Sequence, residues 1–255
     1  RQEEEVKEEE EVLKSESENR VIEFEKTHLK IINKGVYLIE LEDALLIKTK
    51  KQLMDCYEHL ETIKVSVNKY PVNFINFWTS DNPFIRSKDD MEIYPDNSLC
   101  PENIYNLWKP FAGELMSMEY KKNEEAIKFF KKHLLILCKH DVEVADYFEK
   151  WIAQMIQYPA VKSNCPILIS NEGAGKGTLL TLLKKMLGVN KCFETTNPAR
   201  DVWGQFNSLM SDAYLVNLNE LSKKDTVDSM GFIKGLITDS DLTINLKGIT
   251  PYKIQ

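Results

Sequence analysis

The chain has 255 residues, 43% hydrophobic and 29% charged, with a formal net charge of −7. That apolar share suffices for one large domain or two modest ones and excludes a globally disordered polymer. No stretch approaches the ~20 apolar residues of a membrane span, and no basic leader precedes a hydrophobic run, so an intracellular protein with no membrane partner is expected.

Charge is concentrated at the start of the chain. Residues 1–19 carry nine glutamates against Arg1, Lys7 and Lys14, a net of −6 that leaves −1 for residues 20–255. Residues 1–19 are therefore expected to be a solvated acidic tail, disordered or weakly helical. A nearly neutral body excludes coating of nucleic acid by bulk charge, while a local basic surface stays open. The five cysteines (Cys56, Cys100, Cys138, Cys165, Cys192) form no CxxC pair, which suits reduced thiols. His28, His59, His133 and His140 have no metal-ligand spacing. His133 and His140 share a helical stripe and read as core edge, and no zinc-type site is expected.

Residues 20–120 read as an α+β region. Phe24–Ile32 and Gly35–Leu41 are expected strands around the turn Asn33-Lys34-Gly35. Lys50–Glu61 looks helical, with Leu53, Tyr57 and Leu60 on one face. The aromatic spacing of Val72–Thr79 suits a helix packed on that layer. Pro83, Pro95, Pro101 and Pro110 break regular structure over residues 80–113. Within that stretch Tyr105-Asn106-Leu107-Trp108 is expected to pin the loop to the body, a nucleic-acid stacking platform being the alternative.

Residues 121–160 read as amphipathic helices. Ala126, Ile127, Phe130, Leu134, Leu137 and Cys138 form one stripe. Asp141 is the expected N-cap of a second helix, whose apolar side holds Val144, Tyr147, Phe148, Trp151, Ile152 and Met155 before Tyr158-Pro159 ends it. A domain boundary is expected at 158–164, with a further α/β core over 161–255.

Pro166-Ile167-Leu168-Ile169 reads as a buried parallel strand, followed by Ser170-Asn171-Glu172-Gly173-Ala174-Gly175-Lys176-Gly177-Thr178 and a helix stopped by Gly188. Strand, glycine-rich turn and helix are the context a phosphate-binding loop requires. Gly173 and Gly175 permit positive φ, so that successive N–H groups can face phosphate oxygens. The helix start adds its positive dipole end, and Lys176 adds an ammonium for the β- and γ-phosphates. Two positions depart from G-x-x-x-x-G-K-[S/T]: Ser170 replaces the first glycine, and Gly177 follows the lysine, with Thr178 one place later. Glu172, Gly173, Ala174, Gly175, Lys176, Gly177 and Thr178 are thus the expected ATP contacts.

Downstream, Tyr214–Leu218 is strand-like, and Glu220 at its carboxyl end is expected to polarise the attacking water beside a neutral Asn219. Thr178 and Glu220 are the expected partners of Mg²⁺ through ATP. Residues 242–254 alternate around Lys247-Gly248, a hairpin with a basic tip.

The runs Asn171–Thr178, Gly204-Gln205-Phe206-Asn207, Asn217-Leu218-Asn219-Glu220 and Lys234–Asp239, with Lys247-Gly248, together resemble a superfamily 3 helicase. The nearer likeness is to the poxvirus-type primase-helicases of large DNA viruses, with relatives in phages and virophages. It covers roughly residues 70–255. The resemblance implies an α/β P-loop NTPase core of the AAA+-like superfamily 3 type behind an α+β and helical N-terminal region. The core would be incomplete here, because the family's sensor residue and arginine finger normally follow later in the chain. It further implies an ATP- and Mg²⁺-dependent helicase with Lys176 and Glu220 as catalytic residues. Such a protein would act as a homo-hexamer with ATP between subunits, Lys234 and Lys247 gripping single-stranded DNA. Its location would be the host cytoplasm or a viral replication site. A nucleoside monophosphate kinase-like enzyme is an alternative that the loop also suits, although no arginine follows Arg200 to clamp an acceptor phosphate. A non-hydrolysing ATP-binding adaptor is the other.

Overall fold

The computed structural model describes every residue except 1, 43, 61, 65, 82–84, 117–120, 206, 220–226, 228, 240, 250 and 255. Two compact units emerge. The first comprises residues 1–92, 99–106 and 248–250, and the second 93–98, 107–247 and 251–255. The expected boundary at 158–164 therefore lies inside the second unit.

The first unit is built on a hairpin. Strand β1 (His28–Ile31) pairs antiparallel with β2 (Val36–Glu40), as expected, across a turn closed by Gly35 at φ +63°. Strand β3 (Leu45–Lys48) extends the sheet beside β2, and much later the chain returns to add β6 (Ser87–Lys88) beside β1. Helix α2 (Lys50–Cys56) opens with a capping box in which the Thr49 hydroxyl accepts from the Gln52 N–H. Leu53 is buried, with Tyr57 and Leu60 packed on the same core, which matches the expected helical face. The expected helix over Val72–Thr79 is instead a two-residue strand β5 (Val72–Asn73, paired with β4, Thr62–Ile63), a single α-turn (α3, Phe74–Asn76) and a π-turn over Phe77–Asp81. That wider turn accompanies full burial of Trp78 (0% exposed) beside Phe74.

Helix α1 (Gln2–Glu25) occupies the segment expected as an acidic tail. Glutamate and lysine are good helix formers, and the C-terminal turns give the helix an anchor. Val21 and Phe24 pack on the Trp78 core, and the Glu25 carboxylate accepts from the Trp78 indole (2.8 Å) and the Arg86 N–H (2.9 Å). Arg86 also pairs with Glu40 (2.8 Å), and the buried Tyr105 hydroxyl donates to Glu40 (3.0 Å) from β8 (Ile104–Asn106), itself parallel to β7 (Asp90–Glu92). His28 is held neutral by burial, its ring nitrogens engaging the Phe24 carbonyl (2.9 Å) and the Tyr57 hydroxyl (2.6 Å).

The second unit is mainly helical around its core. Helix α4 (Ala112–Leu115) precedes α5 (Glu124–Leu137) and α6 (Val142–Gln157), capped by Asn123 and, as expected, by Asp141, whose carboxylate accepts from Val144 N–H (3.1 Å). Leu134, Phe148 and Ile152 from these helices meet Phe111 and, from α7 (Lys176–Leu187), Leu179, Leu183 and Leu187. Val144 and Tyr147, expected on the apolar side of α6, are exposed, as is Ala126 at the start of α5. Strand β9 (Cys192–Thr195) pairs parallel with β10 (Leu215–Leu218), separated by the short helix α8 (Pro198–Asp201). Helix α9 (Met230–Thr238) leads to the antiparallel pair β11 (Leu242–Ile244) and β12 (Tyr252–Ile254).

Residues 165–169 do not form the expected buried strand. They have no regular structure, and Ile167 and Ile169 are 80% and 84% exposed. Nearby, the chain is tied to α6 by the Trp151 indole donating to the Asn164 carbonyl (3.0 Å), so side-chain hydrogen bonds rather than strand pairing carry it toward the glycine turn.

Candidate functional site

The glycine turn takes the backbone shape its sequence requires. Gly173 lies at φ +74° and Gly175 at φ +95°, a region costly for residues with a Cβ. Gly175 is the N-cap of α7 and offers no side-chain cap, and no acidic residue occupies the first helical turn. The positive end of the helix therefore keeps its attraction for an anion, and Lys184 and Lys185 complement the opposite end. A Cβ built at Gly173 or Gly177 would meet nothing within 4 Å, so backbone approach there is open.

Lys176 folds back over the turn. Its ammonium donates to the Ser170 hydroxyl (2.6 Å) and to the carbonyls of Ser170 (3.2 Å) and Asn171 (3.4 Å). Ser170, which replaces the usual glycine, thus becomes a partner for the lysine. Glu172, Gly177 and Thr178 are exposed, whereas Ala174, Gly175 and Lys176 are half-buried. Residues 170–175 form the turn and Lys176–Thr178 the first residues of α7, without the preceding strand that the sequence reading expects.

At the carboxyl ends of β9 and β10 a polar cluster forms. The Asn219 N–H donates to the Thr195 carbonyl (2.8 Å), and its side-chain amide donates to Glu194 (3.2 Å). Glu194 also accepts from Lys184 of α7 (3.1 Å). The Thr195 hydroxyl donates to Asp201 (2.6 Å), and the neighbouring Arg200 first, then Thr195, hold that carboxyl below its usual range. Glu220, the expected catalytic carboxylate, lies outside the described residues, as does Phe206. Lys234 sits within α9, and Lys247 with Gly248 (φ +79°) lies in the turn between β11 and β12. Among the described residues no cluster of three histidine, cysteine or acidic side chains could hold a metal ion.

Asn207, the end of the Gly204–Asn207 run, is buried and structural. Its amide donates to the Thr243 carbonyl (3.0 Å) and its oxygen accepts from Asn245 N–H (2.9 Å), joining this run to β11. Gly204 is needed for close packing, since a Cβ there would stand 2.2 Å from the Arg200 carbonyl oxygen. Beside β9, the Lys191 ammonium lies 3.7 Å from the centre of the Trp108 ring, which itself packs on Phe111 and Tyr214. Trp108 thus pins its segment to the body of the unit. Burial pushes Lys191 down to about 8 against the opposing charge of Asp212, and pushes the Asp212 carboxyl up. The Tyr214 hydroxyl donates to the Met155 carbonyl (2.5 Å), and burial raises it to about 12.

Two contacts escaped the sequence reading. The carbonyl of Gly175 receives the Nε2 of His133 on α5 at 3.0 Å, across 42 residues of sequence. Glu194 joins α7 to the end of β10. No local pattern signals either, because both pair residues brought together only by the packing of α7.

Comparison with known proteins gives three results. The model of a family of unknown function, DUF5906, matches residues 168–255, a span that contains the whole glycine turn from Ser170 onward. A DNA primase-polymerase of Nitratiruptor phage NrS-1 is 31% identical over 153 residues, 59% of this chain and 20% of that protein. The apo structure of the NrS-1 C-terminal region (305–718) superposes with a TM-score of 0.63 at 23% identity, over 89% of this chain and 51% of that one. A second apo form of the same region gives 0.61 at 24% identity. The mixed α/β fold is therefore shared with that region. The chain spans a fifth of the curated relative's length and about half of the solved region.

Proposed function

We propose that the second unit binds the phosphates of ATP and belongs to a DNA-replication ATPase of the superfamily 3 helicase type, built on a P-loop core and moving on single-stranded DNA as a hexameric ring. The observation that carries this reading is the turn over residues 170–178. Two glycines at positive φ, an uncapped helix start and a lysine folded over the turn make one concave set of donors. The replication setting draws on the 31% identity with a phage primase-polymerase.

In this reading the N–H groups of Gly173–Thr178 face the β- and γ-phosphates. The Lys176 ammonium exchanges Ser170 for a phosphate oxygen, which the flexibility of its stem allows. Thr178 and Glu220 would hold Mg²⁺, which would supply charge neutralisation. Glu220 would also polarise and orient the attacking water. Lys234 and Lys247 contact backbone phosphates without reading sequence, so DNA affinity falls steeply with salt.

The test is ATP binding and turnover by the whole chain with and without single-stranded DNA, beside Lys176→Ala and Glu220→Gln. Lys176→Ala should abolish nucleotide binding, and Glu220→Gln should bind while turning over at least ~100-fold more slowly. Undiminished hydrolysis in either variant removes that residue's role. Phosphate transfer to a nucleoside monophosphate would replace the helicase by the kinase-like enzyme. Tight binding without turnover would replace it by the adaptor.

A further inference from the structure

We propose that His133 is a positioning residue for the phosphate-binding turn, acting from a helix 42 residues upstream through the carbonyl of Gly175. This inference rests on the phosphate-binding reading above. A carbonyl only accepts, so His133 carries its proton on Nε2, with Gly175 O at 3.0 Å. The same oxygen accepts the Leu179 N–H of the first helical turn at 3.3 Å. Two donors from different elements thus fix the direction of one carbonyl.

Peptide planarity makes that direction matter. Across a trans peptide the C=O of residue 175 and the N–H of residue 176 point opposite ways. With the Gly175 carbonyl drawn toward α5, the Lys176 N–H is turned away from α5. That is one of the donors the phosphates need, and a rotation of this single peptide would withdraw it.

The ring also defines what position 175 tolerates. A Cβ there would lie 2.5 Å from His133 Cε1, and the backbone at φ +95° disfavours a side chain independently. Phe129, one turn earlier, lies with its ring nearly parallel to the imidazole, the ring centres 6.3 Å apart. Leu134, adjacent to His133, is buried against Leu179 and Leu183. The histidine is therefore carried on a helix whose position is fixed by the core of the unit.

The experiment compares wild type, His133→Ala and His133→Gln, the last keeping an N–H donor at similar reach. ATP affinity is measured by calorimetry, and exchange of the amides over 171–177 by mass spectrometry without nucleotide. His133→Ala should weaken ATP by about tenfold, the loss of one hydrogen bond. It should also speed exchange in the turn, and His133→Gln should recover most of both effects. Equal affinity and equal exchange in all three proteins would overturn the proposal. So would a glutamine variant as impaired as alanine, since that marks a packing role only. If wild type binds no ATP, the phosphate-binding reading fails on its own. Exchange that rises in alanine and recovers in glutamine would then still establish His133 as the brace of the turn, and unchanged exchange would remove it.

Discussion

Trp78 in the first unit and Ile169 in the second are both large apolar residues, yet the first is 0% exposed and the second 84%. Around Trp78 the hairpin, α1 and α2 close on every side. Its one polar atom is met by Glu25, a carboxylate that also takes the Arg86 N–H. Around residues 165–178 the helices α5, α6 and α7 bury one face behind the glycine turn, while the run leading into it lies open. The first unit is organised by burial. The turn in the second is organised by directed hydrogen bonds from Lys176 and His133, and in the proposed reading the Lys176 bonds exchange for a ligand's while the His133 bond stays.

The contrast predicts unequal costs. Trp78→Ala should destabilise the first unit by about 3–5 kcal/mol, through a cavity and the loss of one hydrogen bond to the Glu25 carboxylate, which keeps the Arg86 N–H. Urea unfolding followed by circular dichroism measures it, and a loss under about 1 kcal/mol would mean that this core is not the unit's anchor. A smaller effect concerns Lys191. Burial lowers its folded pKa to about 8 from an ordinary 10.5, so between those values the unfolded chain holds a proton that the folded chain has released. The cost of burying the charged ammonium is therefore present in full below about 8 and is relieved as pH rises through that window. The stability difference between wild type and Lys191→Met should accordingly shift in favour of wild type from pH 7.5 to 10; a flat difference would place Lys191 in solvent. The smallest effect should come from Ile169→Asn, within about 0.5 kcal/mol for so exposed a residue. A cost of several kcal/mol would reinstate the buried strand that the sequence suggests and end the contrast between the two units.

Local signals were well legible. The hairpin around Gly35, the Leu53–Tyr57 face, the Asp141 cap and the Gly188 stop all depend on neighbours within a few residues, and all stand in the structure. The glycine turn was legible for the same reason. Features that depend on distant partners were not. Nine glutamates over residues 1–19 suggest a free tail, but the anchor of α1 is Glu25 meeting Trp78, 53 residues away. The stripe containing His133 suggests a core edge, and its partner is a carbonyl on another helix. The apolar run 166–169 has the composition of a buried strand, yet composition does not supply a strand to pair with.

The pairing pattern also bears on the order in which the chain assembles. Ile31 meets Val36 across a four-residue turn, so β1 and β2 can close in about 1–10 μs as a local event. Cys192 meets Leu215 in a parallel pair whose connection includes α8, so its strands must be brought together across a much longer loop. Loop closure of that length costs entropy before any contact repays it. The unit holding the glycine turn is thus expected to mature after the unit holding the hairpin.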